Sequence, residues 1–255
     1  MITFPNISPE IVRVGPFAVR WYGMMYLFGF ASSYLLVRHQ LNRLGERTLI
    51  DIDSLYSYLI LGLLIGARLG YTVFYNFSFY FQHPLELFAV WHGGMSFHGG
   101  LIGSLFAGYL FCRKFKLGFW HTADLIIVTA PVGLAFGRLG NFINGELYGR
   151  TTDVAWAMVF PGGGPVPRHP SQLYELLLEG VVLFIILWSL KTRFRKPGVL
   201  TALFLMLYGV FRFIVEFFRE PDEQLGFVLG MFTMGQLLCM SMLLVGVMIL
   251  HFRRR

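Results

Sequence analysis

The stretch GRLGNFINGELYGR, residues Gly137–Arg150, places two arginines, two asparagines and a glutamate directly after the apolar run Leu125–Phe136. If the apolar run is a membrane helix, these groups begin where that helix nears a water interface. Polar side chains are costly in lipid, and where they occur in a span they usually form a site. Arg138, Asn141 and Asn144 are three residues apart, so a continuous helix presents them on one face. The stretch therefore predicts a polar site at the end of a membrane helix.

The composition of the whole chain is typical of a membrane protein. Of its 255 residues, 56% are hydrophobic and only 14% are charged, whereas a soluble domain has about 25% charged residues. Several runs of about 20 residues are almost free of charge, as transmembrane helices are. We therefore predict an all-α, polytopic integral membrane protein with a single membrane-embedded domain over residues 1–255. Seven segments are predicted to span the membrane: Pro16–Val37, Leu55–Tyr75, Met95–Cys112, Ala123–Ile143, Leu173–Leu190, Val199–Phe218 and Leu229–Phe252.

The basic residues predict the orientation of these spans. The formal net charge is +7, and we assign it to the ends of membrane helices rather than to binding of nucleic acid. Thirteen of the 21 Lys and Arg residues lie in alternate connections or at the C-terminus, while the connection 76–94 has none. The positive-inside rule then predicts an N-terminus on the outer side and a cytoplasmic C-terminus. The thirteen residues are Arg38, Arg43, Arg47, Arg113, Lys114, Lys116, Lys191, Arg193, Arg195, Lys196, Arg253, Arg254 and Arg255.

Polar residues from five predicted spans fall at a similar depth on the outer side. Snorkelling explains one arginine near an interface, but it does not explain several polar groups at one level. They predict a wet cavity open towards the outer leaflet. The residues concerned are Tyr22, Arg68, His98, Arg138, Arg212 and Glu216.

The sixth span carries a polar stripe formed by Tyr208, Arg212, Glu216 and Arg219. One interpretation is an internal ion pair between Arg212 and Glu216 that orients the helix. The other is that Arg212 also faces the cavity and contacts a phosphate, because a guanidinium offers five donors in a fixed fork.

His98 lies between glycines where the third span begins. Its reference pKa of about 6.5 suits proton transfer at neutral pH, although a histidine at a helix start can also be purely structural. Glu175, in the first turn of the fifth span, is interpreted as favourable to the helix dipole. The stretch at about 148–170 is predicted to be a flexible outer loop or a small periplasmic arm.

The motifs of metalloproteases, hydrolase elbows and phosphate-binding loops do not occur in the sequence. The residues alone thus indicate an outward-facing intramembrane site for an anionic lipid head group. They leave open whether the protein is an enzyme or a transporter of lipids or anions.

The signature Gly137–Gly149 resembles that of the phosphatidylglycerol–prolipoprotein diacylglyceryl transferases. Other stretches carry the same resemblance along nearly the whole chain. They are Arg20–Gly23 (RWYG), Gly66–Tyr71 (GARLGY), Gly93–Gly100 (GGMSFHGG), Arg168–Glu175 (RHPSQLYE) and Tyr208–Arg219 (YGVFRFIVEFFR).

The resemblance implies a seven-span enzyme of the bacterial cytoplasmic (inner) membrane with its active site towards the periplasmic leaflet. It would transfer the diacylglyceryl group of phosphatidylglycerol to the lipobox cysteine of a prolipoprotein signal peptide. It implies no metal and no organic cofactor. The rival interpretations are a lipid or anion transporter and a lipid hydrolase.

The resemblance also implies roles for individual residues. Arg138 would hold the lipid phosphate, Arg212 would stabilise the departing glycerol phosphate, and His98 would be the candidate base. The substrate-binding residues would be Arg138, Asn141, Glu146, Tyr22, Tyr208, Arg68 and Glu216.

Overall fold

The computed structural model describes residues 2–5, 7–15, 17–46, 48–89, 93–194, 196–220, 227–228 and 232–254. Most of these residues are helical, with four short strands. The helices are α1 (Trp21–Leu44), α2 (Ile52–Phe74), α3 (Phe77–Gln82), α4 (Phe97–Lys114), α5 (Phe119–Ile127), α6 (Ala130–Asn144), α7 (Ser171–Glu175), α8 (Leu183–Leu190), α9 (Val199–Glu216) and α10 (Met234–Arg254). A 3₁₀ helix covers Pro84–Phe88, a π-helical turn covers Leu176–Val182, and the strands are β1 (Glu10–Val14), β2 (Phe17–Arg20), β3 (Phe227–Val228) and β4 (Phe232–Thr233).

Each of the seven predicted spans contains a helix, but fewer of these helices are long and apolar enough to cross a membrane. Among the described residues, four meet that standard: Ile52–Phe74, Ser171–Leu190, Val199–Glu216 and Met234–Arg253. A fifth is added if α5 and α6, bent by 42° at their junction, form one broken span. The helices α1 and α4 are not among these four, and both end in basic residues. The architecture is that of an all-helical, multi-pass membrane protein.

The start of the first predicted span is wrong by several residues. Instead of a helix from Pro16, which itself lies outside the described residues, the backbone forms an antiparallel hairpin in which β1 pairs with β2. Gly15 provides the turn with a φ of +59°, a conformation that glycine adopts without steric cost. The helix begins only at Trp21 and then continues to Leu44, past the predicted end at Val37.

The chain divides into two compact units, one formed by residues 37–122 and the other by residues 1–36 and 123–255. In the 37–122 unit, α2 packs closely on α4 through interleaved glycines. A Cβ added to Gly66 would lie 2.7 Å from the Cα of Gly103, and one added to Gly70 would lie 2.8 Å from the Cα of Gly99. Only glycine lets the two backbones approach this closely.

In the other unit, α9 packs on α10, and α6 packs on the π-helical turn. Asp124 of α5 fixes the start of α9, since its carboxylate accepts hydrogen bonds from the backbone N–H groups of Gly198 (2.7 Å) and Thr201 (2.8 Å). Such a cap satisfies donors that a helix N-terminus otherwise leaves unpaired. A buried apolar cluster joins α8 and α9 to the junction of α5 and α6: Val128, Leu183, Leu187, Leu200 and Phe204.

Residues 148–170 form an arm held by isolated bridges and a small core. Isolated antiparallel bridges join Gly149 to Arg219, and join both Thr151 and Met158 to Arg168. The aromatic ring of Phe160 lies in a small core with Phe142 and Met158. The arm is therefore tied by backbone hydrogen bonds to the residues that follow α9 and by packing to α6.

Candidate active site

The signature stretch ends α6 in the predicted way. Arg138, Asn141 and Asn144 lie on consecutive turns of one helix, and the chain then reverses at Gly145, whose φ is +67°. This left-handed cap brings Glu146 back beneath the helix, where its Oε1 accepts hydrogen bonds from Asn141 Nδ2 (2.9 Å) and Asn144 Nδ2 (3.2 Å). The two amides thus hold one exposed carboxylate at the helix end.

Glu175 of α7 is the centre of a buried charge cluster. Its side chain is 1% exposed and forms an ion pair with Nε of Arg138. Its Oε1 accepts a hydrogen bond of 2.8 Å from Nη1 of Arg212 and lies 3.9 Å from Nε of Arg219. One carboxylate therefore joins arginines from α6, from α9 and from the residues after α9.

The ion pair predicted within α9 is confirmed. Arg212 Nη2 lies 2.8 Å from Glu216 Oε2, and the other oxygen of Glu216 accepts a hydrogen bond of 2.9 Å from the Thr233 hydroxyl. Arg212 also lies against Glu175. Both interpretations of the α9 stripe are compatible with these contacts, because the guanidinium is paired on its own helix and faces the cluster.

Arg138 is the most exposed arginine of the cluster. Its side chain is 21% exposed, compared with 10% for Arg212 and 14% for Arg219. Its Nη1 donates to Asn141 Oδ1 at 3.4 Å. A guanidinium held through Nε and one Nη1 hydrogen still has donors for an anion, and the fork geometry matches the oxygens of a phosphate.

Two predicted tyrosines accompany the cluster. Tyr22 packs on α6 at Gly140, where an added Cβ would lie 3.0 Å from its ring, and its hydroxyl is 3.2 Å from that of Tyr26. Tyr208, half-buried on α9, stacks on Phe204 with ring centroids 5.7 Å apart.

Arg68 and His98 belong to the 37–122 unit. His98 is an exposed residue in the first turn of α4, which Ser96 caps. The Arg68 guanidinium donates hydrogen bonds to five backbone carbonyls of one segment. Through these hydrogen bonds Arg68 stabilises the segment that leads to α4. The five acceptors are the carbonyl oxygens of Glu86 (2.5 Å), Leu87 (2.9 Å), Ala89 (3.0 Å), Gly93 (2.5 Å) and Gly94 (3.2 Å).

The sequence of residues 9–252 matches the prolipoprotein diacylglyceryl transferase family. The chain belongs to this family. It is 54% identical to the phosphatidylglycerol–prolipoprotein diacylglyceryl transferase of Desulfotalea psychrophila, over 98% of this chain and 95% of the relative. The enzyme of the same name from Geobacter sulfurreducens is 56% identical over 95% and 94% of the two chains. That from Bordetella parapertussis is 51% identical over 100% and 98%.

In this member of the transferase family, three residues of the cluster were not among the predicted site residues. Glu175 was assigned to the helix dipole, Arg219 only to a stripe, and Glu179 to nothing at all. A signal was available, since Glu175 and Glu179 are four residues apart in an otherwise apolar predicted span, and a charged residue within a span is by default functional.

The segment that precedes α7 supports the cluster from the arm. The helix begins at Ser171, directly after Pro170. Trp156 Nε1 donates to the hydroxyl of Tyr174 at 2.7 Å, and that hydroxyl lies 3.0 Å from His169 Nδ1. Partial burial lowers the pKa of His169, because desolvation disfavours the charged imidazolium. These contacts anchor the arm beside Glu175.

Proposed function

We propose that this chain transfers the diacylglyceryl group of phosphatidylglycerol to the lipobox cysteine thiol of a prolipoprotein. The products would be a thioether-linked lipoprotein precursor and glycerol 1-phosphate, the first step of bacterial lipoprotein maturation. Relatives that match almost the whole chain bear the name of this activity. The observation that carries the proposal here is the cluster in which Glu175 holds Arg138 and Arg212 side by side.

The chemistry requires a nucleophile and a stabilised leaving group. A cysteine thiol of pKa about 8.5 must lose its proton to attack well. The thiolate then attacks the glyceryl carbon, the carbon–oxygen bond to phosphate breaks, and the electron pair leaves with glycerol phosphate. Arg138 would bind the phosphate before this step, and Arg212 would stabilise the charge that develops on the departing oxygen. Donors oriented in advance for such a charge are worth a few kcal/mol.

The remaining predicted residues receive positioning roles in this proposal. His98 is the candidate base for the thiol proton. Asn141, Glu146, Tyr22 and Tyr208 would orient the head group or the peptide. Glu216 acts through its ion pair with Arg212, and Arg68 acts through the carbonyls that it holds.

The proposed setting is the bacterial cytoplasmic membrane. In it the chain forms one membrane-embedded domain of seven spans, with a periplasmic N-terminus, a cytoplasmic C-terminus and the site open to the periplasmic leaflet. The two arginines held by one carboxylate support this setting, because a lipid phosphate lies at the depth of a span end.

The test of the function uses purified protein in detergent, phosphatidylglycerol and a lipobox peptide with one cysteine. We expect the peptide to gain the diacylglyceryl mass and glycerol phosphate to appear in equal amount. Arg138→Ala should reduce both by roughly a hundredfold or more, while Arg13→Ala, which removes an arginine paired with Glu10 on β1, should leave both unchanged.

Each rival function has its own outcome in this assay. Diacylglycerol released without a modified peptide would identify a hydrolase. Unchanged substrates, together with movement of lipid between the leaflets of vesicles, would identify a transporter.

The role of His98 is tested separately, through the dependence of the rate on pH. A general base contributes about 10²- to 10⁴-fold to a rate, so His98→Gln should lower transfer by that order. If the variant keeps a near-normal rate across the whole pH range, another group takes the thiol proton. His251→Gln, a substitution on the exposed end of α10, is the matched control.

A further inference from the structure

Glu179 is a buried carboxyl group that the proposed mechanism does not use. Glu179 lies in the π-helical turn Leu176–Val182 and is 0% exposed to solvent. Within the part of the chain that the structure describes, neither of its carboxylate oxygens has a hydrogen-bond partner. A charged carboxylate without donors is costly to bury, and π-helical turns are frequent at functional sites. A position this unfavourable to the fold calls for a functional reason.

The groups that face Glu179 belong to the proposed phosphate site. Its Oε1 lies 3.8 Å from Nη1 of Arg212, too far for a hydrogen bond but close enough for strong attraction. Further titratable groups lie around Glu179, on its own helix and on neighbouring elements. They are Glu175 on its own side, Arg138 on α6, Tyr208 and Arg212 on α9, Arg219 after α9, and Cys239 on α10.

The charges of this cluster balance when every group is ionised. Three arginines (138, 212 and 219) face three carboxylates (175, 179 and 216), so the cluster has no surplus positive charge for an incoming anion. Glu175 is paired with arginines, and Glu216 accepts a hydrogen bond from a threonine hydroxyl and is paired with Arg212. Protonation of Glu179 breaks no hydrogen bond between described residues, so it is the least costly way to create that surplus.

We propose that Glu179 is a positioning residue that takes up a proton when the phosphate of a phospholipid binds to the arginine cluster. The proposal rests on the proposed function. With Glu179 uncharged, the cluster carries one surplus positive charge, which matches the single negative charge of a phosphodiester. Arg212 is then no longer attracted by a charged Glu179.

The decisive experiment counts the protons taken up on binding of phosphatidylglycerol, without any peptide. Calorimetric titrations in detergent, at about pH 8 and in two buffers of different ionisation enthalpy, give this number. We expect about one proton for the natural protein and none for Glu179→Gln, whose amide imitates the protonated carboxyl. Glu10→Gln, which removes an exposed carboxylate from β1, should retain the uptake. Equal uptake with and without the Glu179 carboxyl would overturn the proposal.

The transfer reaction supplies a second readout. For the natural protein the KM for phosphatidylglycerol should rise on the alkaline side, approaching tenfold per pH unit, while kcat changes little. The KM of Glu179→Gln should stay flat over that range. A Gln variant that folds but has lost transfer at every pH would show that the charged carboxylate is needed, contrary to the proposal.

Infrared difference spectra of the natural protein need no variant. The carbonyl band of a protonated carboxylic acid should appear when phosphatidylglycerol is added, and its failure to appear despite binding would refute the proton uptake. Failure of the proposed function looks different: no peptide transfer would then be detected, whether or not the lipid binds.

Discussion

Glu175 is a single buried carboxylate that determines where two guanidinium groups point. It holds Arg138 through Nε and Arg212 through Nη1. Both arginines keep their forks oriented before any substrate arrives, so no reorganisation is required when charge develops on a leaving phosphate. Preorganised donors of this kind are the largest contribution in many enzymes. The carboxylate thus acts on the reaction through the arginines that it positions.

We predict that Glu175→Gln abolishes transfer and destabilises the fold. The substitution keeps the shape but leaves two buried guanidinium groups without their shared counter-charge. Removal of one partner of a buried ion pair costs about 3–5 kcal/mol. Thermal unfolding in detergent should show a clearly lower Tm, and the peptide assay should show no product.

The control for this variant is Glu10→Gln. Glu10 also pairs with an arginine, Arg13, but does so on the exposed hairpin, and the hydrogen bond from that arginine holds the pKa of Glu10 below its usual range. Its loss should not change Tm measurably at neutral pH, because exposed ion pairs contribute little. Glu175→Gln with the natural Tm and rate would show that the arginines are positioned by other contacts.

The predictions for single residues succeeded where sequence spacing alone determines geometry. Arg138 and Asn141 share a helix face because they are three residues apart, and the Arg212–Glu216 pair forms because those residues are four apart. The meeting of Glu175 with Arg138 is different, since 37 residues separate them in the chain and only the packing of α6 on the π-helical turn brings them together. No local pattern contains that information.

The α2–α4 pair shows the same limit for whole elements. The glycines at 62, 66 and 70 and those at 99 and 103 recur every fourth residue within each helix, which marks a face suited to close packing. Which helix meets that face does not follow from the spacing. The structure matches the two rows to each other, so that Gly66 lies against Gly103 and Gly70 against Gly99.

We predict that Gly66→Ala destabilises this helix pair. The added methyl group would lie 2.7 Å from the Cα of Gly103, and the neighbour is backbone, which cannot rotate away. Overpacking of this kind costs about 1–3 kcal/mol, which should appear as a lower Tm in detergent. The matched control is Gly108→Ala on α4, where the nearest atom is the flexible Leu59 Cδ2 at 3.4 Å. Equal effects of both substitutions would contradict the role of close backbone contact.

The hairpin before α1 was missed because short apolar runs are ambiguous. Phe17–Arg20 continues the apolar character of the following helix, and four such residues suit a strand as well as a helix. The turn at Gly15 and the pairing of Arg13 with Ala18 resolve the choice in favour of the hairpin. The long apolar segments were predicted correctly as helices; the start of α1 was wrong, whereas α9 begins at Val199 as predicted.

Across the whole molecule, the distribution of basic residues predicts which side each connection occupies. The connection between α1 and α2 follows Arg38 and Arg43 and should be cytoplasmic, whereas the arm at 148–170 should be periplasmic. A measurement of sidedness in the intact membrane tests this prediction.

The chain is well suited to cysteine labelling, because both of its own cysteines, Cys112 and Cys239, are buried. Thr48 lies between α1 and α2 and Thr151 lies in the arm, and both residues are exposed. Each can be replaced by cysteine and treated with a thiol reagent that does not cross membranes. In intact cells without an outer membrane barrier, we expect Thr151→Cys to react and Thr48→Cys to remain unlabelled. Both should react once the cells are permeabilised, which shows that each thiol is accessible. Labelling of Thr48→Cys in intact cells would show that the predicted orientation is wrong. The arginine cluster would then not lie on the side where exported prolipoproteins present their cysteine.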